Sequence, residues 1–167
     1  LAAETKYGGM GAPAIAGLIS FAQMNRACIS SATQYGFYTS MIDMVERFCE
    51  EEDRARLVPK IVAGEISGSM CLTEPGAGSD VGSVKTSATP QDDGTYLLNG
   101  SKIFITNGGG GFGFVLARIK GAPEGLSGIS LFLCEQDVEG KEGPNYIVAK
   151  NEEKMGLHGS ITCEIVY

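Results

Sequence analysis

A chain of 167 residues, 43% of them hydrophobic, can bury one sizeable core or two small ones, so length leaves the domain count open. Thirteen basic against twenty acidic residues leave a net charge of −7, which excludes a phosphate-tracking nucleic-acid surface and suits an ordinary acidic protein in solution. No apolar run approaches the roughly 20 residues that a bilayer helix needs, and no basic leader precedes a shorter one, so an integral membrane segment is excluded too.

The sequence opens on Leu1 and stops inside a strand-like run at Tyr167, so both ends read as cut from a longer polypeptide. From Gly11 to about Ala63 apolar residues recur at helical spacing. Ile15, Leu18, Ile19 and Ala22 form one stripe, and Tyr38, Met41, Ile42, Val45 and Cys49 a second. The charged run from Glu50 to Arg56 reads as a solvated face leading to Leu57-Val58-Pro59. Proline is suited to a helix start rather than an interior, so a short third helix is expected from there to about Val62, ended by Gly64.

After Ile66 the period becomes two. Strands are expected over 67–73, 96–98, 102–106, 112–119, 129–134, 146–150 and 163–167. Asn99-Gly100 is the strongest turn signal, because a two-residue type I′ hairpin needs positive φ at both positions. It predicts antiparallel pairing of 95–98 with 101–106, and Asp92-Asp93-Gly94 predicts a second, weaker hairpin before it. Close-spaced strands without intervening helices make the fold class α+β: N-terminal helices over 1–65, then an antiparallel β-barrel or sandwich over 66–167.

Five cysteines without a C-x-x-C pair and a single histidine, His158, argue against a metal site or a disulfide framework and for small buried hydrophobes in a reducing cytoplasm. His158, between Gly156 and Gly159, reads as a turn residue that orients a loop.

Three stretches carry candidate chemistry. Gly108–Gly113 contains G-x-G-x-x-G, but a strand pattern follows where the dinucleotide motif needs a helix N-terminus, so it reads as a β-turn. Leu72–Gly82, LTEPGAGSDVG, leaves a strand through Thr73-Glu74-Pro75-Gly76. Gly76 and Gly78 put no Cβ in the way of a visitor, and the exposed amides of such a loop can converge on an anion, although an ordinary long turn has the same composition. Glu74, just before proline, reads as a carboxylate that fixes loop geometry by accepting backbone N–H bonds. In Lys102–Gly108, Phe104 and Thr106 are two apart and share a strand face, an apolar plate beside a hydroxyl donor. That arrangement suits a planar heterocycle with polar edges, and equally a core phenylalanine beside a strand-end threonine.

Taken together, Met70–Val81, Asn99–Gly108, Leu116–Arg118, Gly128–Leu133 and Lys154–Ser160 resemble the acyl-CoA dehydrogenase family in motif and in order, over essentially the whole chain. The resemblance implies the end of that family's N-terminal helical domain plus its middle β-domain, FAD as cofactor and an acyl-CoA as substrate. It further implies an electron-transfer flavoprotein or similar acceptor as partner, and a homo-oligomer, dimer or tetramer, when full-length. It places the flavin against Met70, Cys71, Leu72, Thr73, Gly78, Ser79, Phe104, Ile105 and Thr106, with Thr73 bonding the ring, Phe104 packing on the isoalloxazine and Thr106 near N5. Ser79 would also meet the CoA arm. Two positions depart from the usual pattern: Met70 stands where an aromatic is common and Phe104 where tryptophan is usual, and both remain large, apolar and polarizable.

The stretch 117–125 and the His158 form of the late motif look most like the longer bacterial members, including those acting on 3-methylthiopropionyl-CoA. No catalytic residue is expected within the chain, since the family's base lies in a C-terminal helical domain, so the 167 residues alone should bind FAD weakly and turn over little or nothing. The alternative is a relative that kept the β-domain as a binding or scaffold module.

Overall fold

The computed structural model describes residues 3–167, which divide into two compact units. The first runs through Gly68 and takes in the later segment Glu153–Ser160; the second is Ser69–Glu152 with Ile161–Tyr167.

The helical unit holds α1 (Ala14–Ala27), α2 (Ile29–Phe48) and α3 (Glu51–Ala63), with α2 packed against both others. Its core comes from the second stripe, Met41, Ile42 and Val45, facing Leu57, Val58 and Ile61 of α3. The first stripe departs from expectation. Ile15, Leu18 and Ile19 are 61%, 63% and 59% exposed and α1 buries no residue, because periodicity marks an apolar face without supplying what covers it.

The third helix is also longer than the sequence suggests. It begins at Glu51, where Glu51, Glu52 and Asp53 place negative charge on the positive end of the helix dipole, and it carries Pro59 in its interior. The proline lies on the exposed side and withholds one amide from the Ala55 carbonyl, which water can satisfy. Gly64, at φ 78°, ends the helix as expected: the Glu65 amide bonds the Lys60 carbonyl at 2.9 Å and the Gly64 amide bonds that of Ile61 at 3.0 Å.

The β unit is built from β1 (Ser67–Cys71), β2 (Ser87–Pro90), β3 (Tyr96–Asn99), β4 (Ser101–Thr106), β5 (Gly111–Ile119), β6 (Ile129–Glu135), β7 (Ile147–Asn151) and β8 (Thr162–Val166). They form two sheets and no closed barrel. One has the order β1-β5-β2-β3 with β6 also on β5, and the other is β4-β8-β7. Cys71, Val115, Ile105, Cys163 and Ile165, drawn from both sheets, share one core with Tyr146, which is sandwich packing. Strand β2 was not among the strands expected from period, and it meets Arg118 and Ile119 of β5 in parallel, a local exception to the antiparallel expectation.

The two hairpin signals exchange outcomes. The weaker one forms: β2 and β3 pair from Ser87↔Asn99 to Pro90↔Tyr96. Gly94 sits at φ 83°, and Asp93 Oδ1 accepts from the Thr95 amide and hydroxyl. The stronger one does not. Asn99-Gly100 is the corner at which the chain leaves one sheet for the other, β3 pairing with β2 and β4 with β8. Gly100 continues the second ladder, exchanging hydrogen bonds with Tyr167 at 3.4 and 3.0 Å. A Cβ there would stand 2.8 Å from Thr86 Cα, so close approach and not a tight turn requires the glycine.

Of the Gly108–Gly113 run only the first part is a turn, closed by the Gly110 amide on the Asn107 carbonyl; Gly111–Gly113 already belong to β5, and no helix follows. His158 lies exposed in a turn closed by the Ser160 amide on the Leu157 carbonyl. Among the described residues no two cysteines form a disulfide, and no described helix is long and apolar enough to cross a membrane.

Candidate functional site

Strand β1 ends at Cys71 and the chain turns tightly over Glu74–Ala77, whose end residues exchange backbone hydrogen bonds at 3.0 and 3.1 Å. Glu74 does fix the loop through backbone amides, although those amides lie further along the chain. Oε2 accepts from the Lys85 amide at 2.7 Å, and Oε1 from the Thr86 amide at 3.0 Å and the Thr86 hydroxyl. Oε1 also meets Lys102 Nζ at 2.9 Å. Burial would push the Glu74 carboxyl upward, but the Thr86 hydroxyl, the Lys102 ammonium and the two amides outweigh it and hold it below the ordinary carboxylate value.

Lys102 is the residue the sequence reading passed over. Its side chain is 0% exposed, and Nζ donates both to Glu74 and to the Leu72 carbonyl at 2.9 Å. One residue on, the Ile103 amide donates to the Thr73 carbonyl at 2.9 Å. The loop of 72–74 and the start of β4, 28 residues apart between Glu74 and Lys102, are thus joined by three consecutive acceptors on one side and two consecutive residues on the other. A charged residue next to the apolar run Ile103-Phe104-Ile105 was the available signal. Its inward aim was hidden because simple alternation fails here.

The failure is a bulge. The β4–β8 register shifts between Lys102 and Ile105, so these two, three apart, are both buried. The alternation that would set Phe104 and Thr106 on one face is interrupted. Phe104 adopts φ 58°, an uncommon conformation for a bulky aromatic, and stands 61% exposed. Thr106 returns to regular pairing opposite Thr162 and is half-buried.

Among the other expected contacts, Cys71 and Ile105 are core residues, 0% and 2% exposed, and can offer a ligand only backbone. Met70, Leu72 and Thr73 are half-buried, and Gly78 and Ser79 exposed. Arg118 secures the far end of the loop, donating to the Gly82 carbonyl at 2.8 Å and, across the β5–β6 connection, to the Gly125 and Pro123 carbonyls. An open cavity of about 430 Å³ adjoins the staple, lined by Glu74, Gly76, Lys85, Thr86 and Ser101 among others but by none of residues 104–106.

The glycines supply a test of fit. Neither Gly76 nor Gly78 has positive φ, and a Cβ built on either meets nothing within 4 Å. Neither conformation nor internal packing asks for glycine at these positions. The open space beside both leaves room for a neighbour outside the chain to approach the backbone, which is the fit that a cofactor lying along the loop would need.

Residues 69–167 match the family model "Acyl-CoA dehydrogenase, middle domain", and residues 1–65 match "Acyl-CoA dehydrogenase, N-terminal domain". The chain belongs to the acyl-CoA dehydrogenase family. An acyl-CoA dehydrogenase of Bacillus subtilis is 36% identical over 97% of the chain and 41% of its own length. The 3-methylmercaptopropionyl-CoA dehydrogenase of Ruegeria pomeroyi is also 36% identical, over 100% of the chain and 30% of its own length. Identity therefore does not separate the two as guides to substrate.

Among solved structures, an acyl-CoA dehydrogenase complexed with FAD from Bacillus anthracis superposes with a TM-score of 0.83 at 30% identity, over 99% of this chain and 27% of that one. A chain from a study of the electron transferring flavoprotein of Acidaminococcus fermentans gives 0.87 at 31%, over 100% and 43%. The chain thus spans less than half the length of these relatives.

Proposed function

We propose that this chain supplies the FAD- and thioester-facing β-domain of an enzyme that dehydrogenates an acyl-CoA between its α and β carbons, with residues 1–65 closing the preceding helical domain. The observation that carries the reading is the hydrogen bond from the Ile103 amide to the Thr73 carbonyl, which sets the glycine-bared loop beside the strand that presents Phe104 and Thr106. FAD, when bound, supplies the ring that accepts the β-hydrogen as hydride. Thr73 and Thr106 offer hydroxyl donors to its polar edge, and Phe104 offers an apolar face in place of the family's usual tryptophan. Backbone of Cys71 and Ile105 and the flanks of Met70 and Leu72 complete the wall, while Gly78 and Ser79 leave room for the pyrophosphate and CoA arm.

The α-proton needs a carboxylate base within hydrogen-bond reach of it. Glu74 does not serve. It is 6% exposed, both its oxygens are occupied, and a carboxylate held below its ordinary pKa is a weaker base. The base is therefore assigned to a part of the full-length protein outside these residues, and the chain alone is assigned little turnover. An electron-transfer flavoprotein or similar acceptor, a homo-oligomeric assembly and a cytoplasmic location complete the proposal, the last supported by five cysteines outside any disulfide. The test is anaerobic addition of acyl-CoA thioesters, 3-methylthiopropionyl-CoA among them, to the full-length protein. Bleaching of flavin absorbance near about 450 nm is expected. A colourless protein that takes up no added FAD supports the binding-module alternative instead.

A further inference from the structure

A lysine whose side chain is wholly buried is costly unless its charge is paired and its protons are used. Lys102 meets that condition with the Leu72 carbonyl and the Glu74 carboxylate, each at 2.9 Å. Its fellow inward residue Ile105 lies in the apolar core, so facing inward on β4 does not by itself call for a lysine. What an apolar residue could not do is hold 72–74 in register with β4. The ammonium grips residues 72 and 74, the Ile103 amide grips residue 73, and Thr73 is fixed between them. The register shift begins at the same residue. Lys102 and Ile105 are its two inward anchors, and Phe104 is held between them at φ 58°, a conformation that an aromatic abandons unless its surroundings impose it.

We propose that Lys102, through its buried pair with Glu74 and its bond to the Leu72 carbonyl, is a positioning residue for the flavin: it fixes Thr73 and the Phe104 bulge as a single preformed cradle. Lys102 reaches the cradle from behind, and its effect is exerted through Thr73 and Phe104. The proposal rests on the flavin reading above.

The test uses full-length protein carrying Lys102→Met together with Glu74→Gln, a combination that leaves no uncompensated buried charge. FAD affinity is read by titrating the apoprotein, the position and fine structure of the flavin band by absorbance, and the fold by circular dichroism and apoprotein Tm. The expected result is a folded protein whose FAD affinity falls about tenfold or more and whose flavin band is displaced, the shift that a merely structural lysine would not cause. A folded double variant with affinity and band unchanged overturns the proposal while leaving the flavin reading intact. An unmodified protein that takes up no FAD overturns both. Should the double variant not fold, Lys102→Arg keeps the charge but presents a planar fork that cannot meet both acceptors as the ammonium does. A weaker FAD affinity in that variant is then required, and an unaltered one overturns the proposal.

Discussion

Glu74 and Lys102 are the residues on which the site's geometry turns, and the acid limb of stability should report them. Because the folded Glu74 carboxyl is held below its ordinary value, its stabilising contribution is complete above about 4.5 and is lost as pH falls through the lower folded value. Glu74→Gln is expected to lower stability at neutral pH by about 3 kcal/mol, as when one partner of a buried pair is removed. Chemical denaturation from pH 7 downward should show that gap closing below the carboxylate range, and a gap independent of pH would remove the charge from the account. Thr106→Val keeps shape and removes a donor. It should slow flavin reduction by an amount worth about 1–3 kcal/mol at unchanged Tm, measured by stopped-flow absorbance. The sequence made Phe104, Thr106 and the glycines of the loop visible only through the order of motifs that they belong to, because each residue type is ordinary for a strand or a turn taken alone. It left Lys102 unmarked, since a bulge that reverses which residues face inward has no signature in a run such as KIFIT.

At the level of elements, hydrophobic period placed three helices and seven of the eight strands. It failed where long-range pairing overruled local preference. Asn99-Gly100 carries the stronger turn chemistry, yet the partner of β4 is β8, more than 50 residues on, and the corner is shaped by the packing of Gly100 against Thr86. Gly100→Ala would drive its methyl group into Thr86, whose amide and hydroxyl hold Glu74. A loss of about 1–3 kcal/mol is expected in urea unfolding, of the size of other overpacking changes. A neutral result would mean that the corner yields without disturbing the staple. Pro59 was read as a helix start because prolines belong there, and the acidic first turn of α3 shows where that start lies. Pro59→Ala restores an amide to the helix interior and should raise Tm, the gain reduced by the greater freedom of the unfolded chain.

For the molecule as a whole, α+β organisation and the change of character near residue 66 follow from period alone, whereas the choice between barrel and sandwich depends on which strands find each other across the chain. The exposed stripe of α1 likewise reads from sequence as core, because an apolar face looks the same whether its partner is present or lies elsewhere. The claim joining these levels is that the loop after β1 is bare because a planar cofactor lies along it. Gly78→Val tests that claim most directly, since the added side chain starts where no atom of the protein lies within 4 Å. FAD titration of the full-length apoprotein should show affinity reduced about tenfold or more with the apoprotein Tm unchanged. Equal affinity in the variant and the unmodified protein would contradict the account.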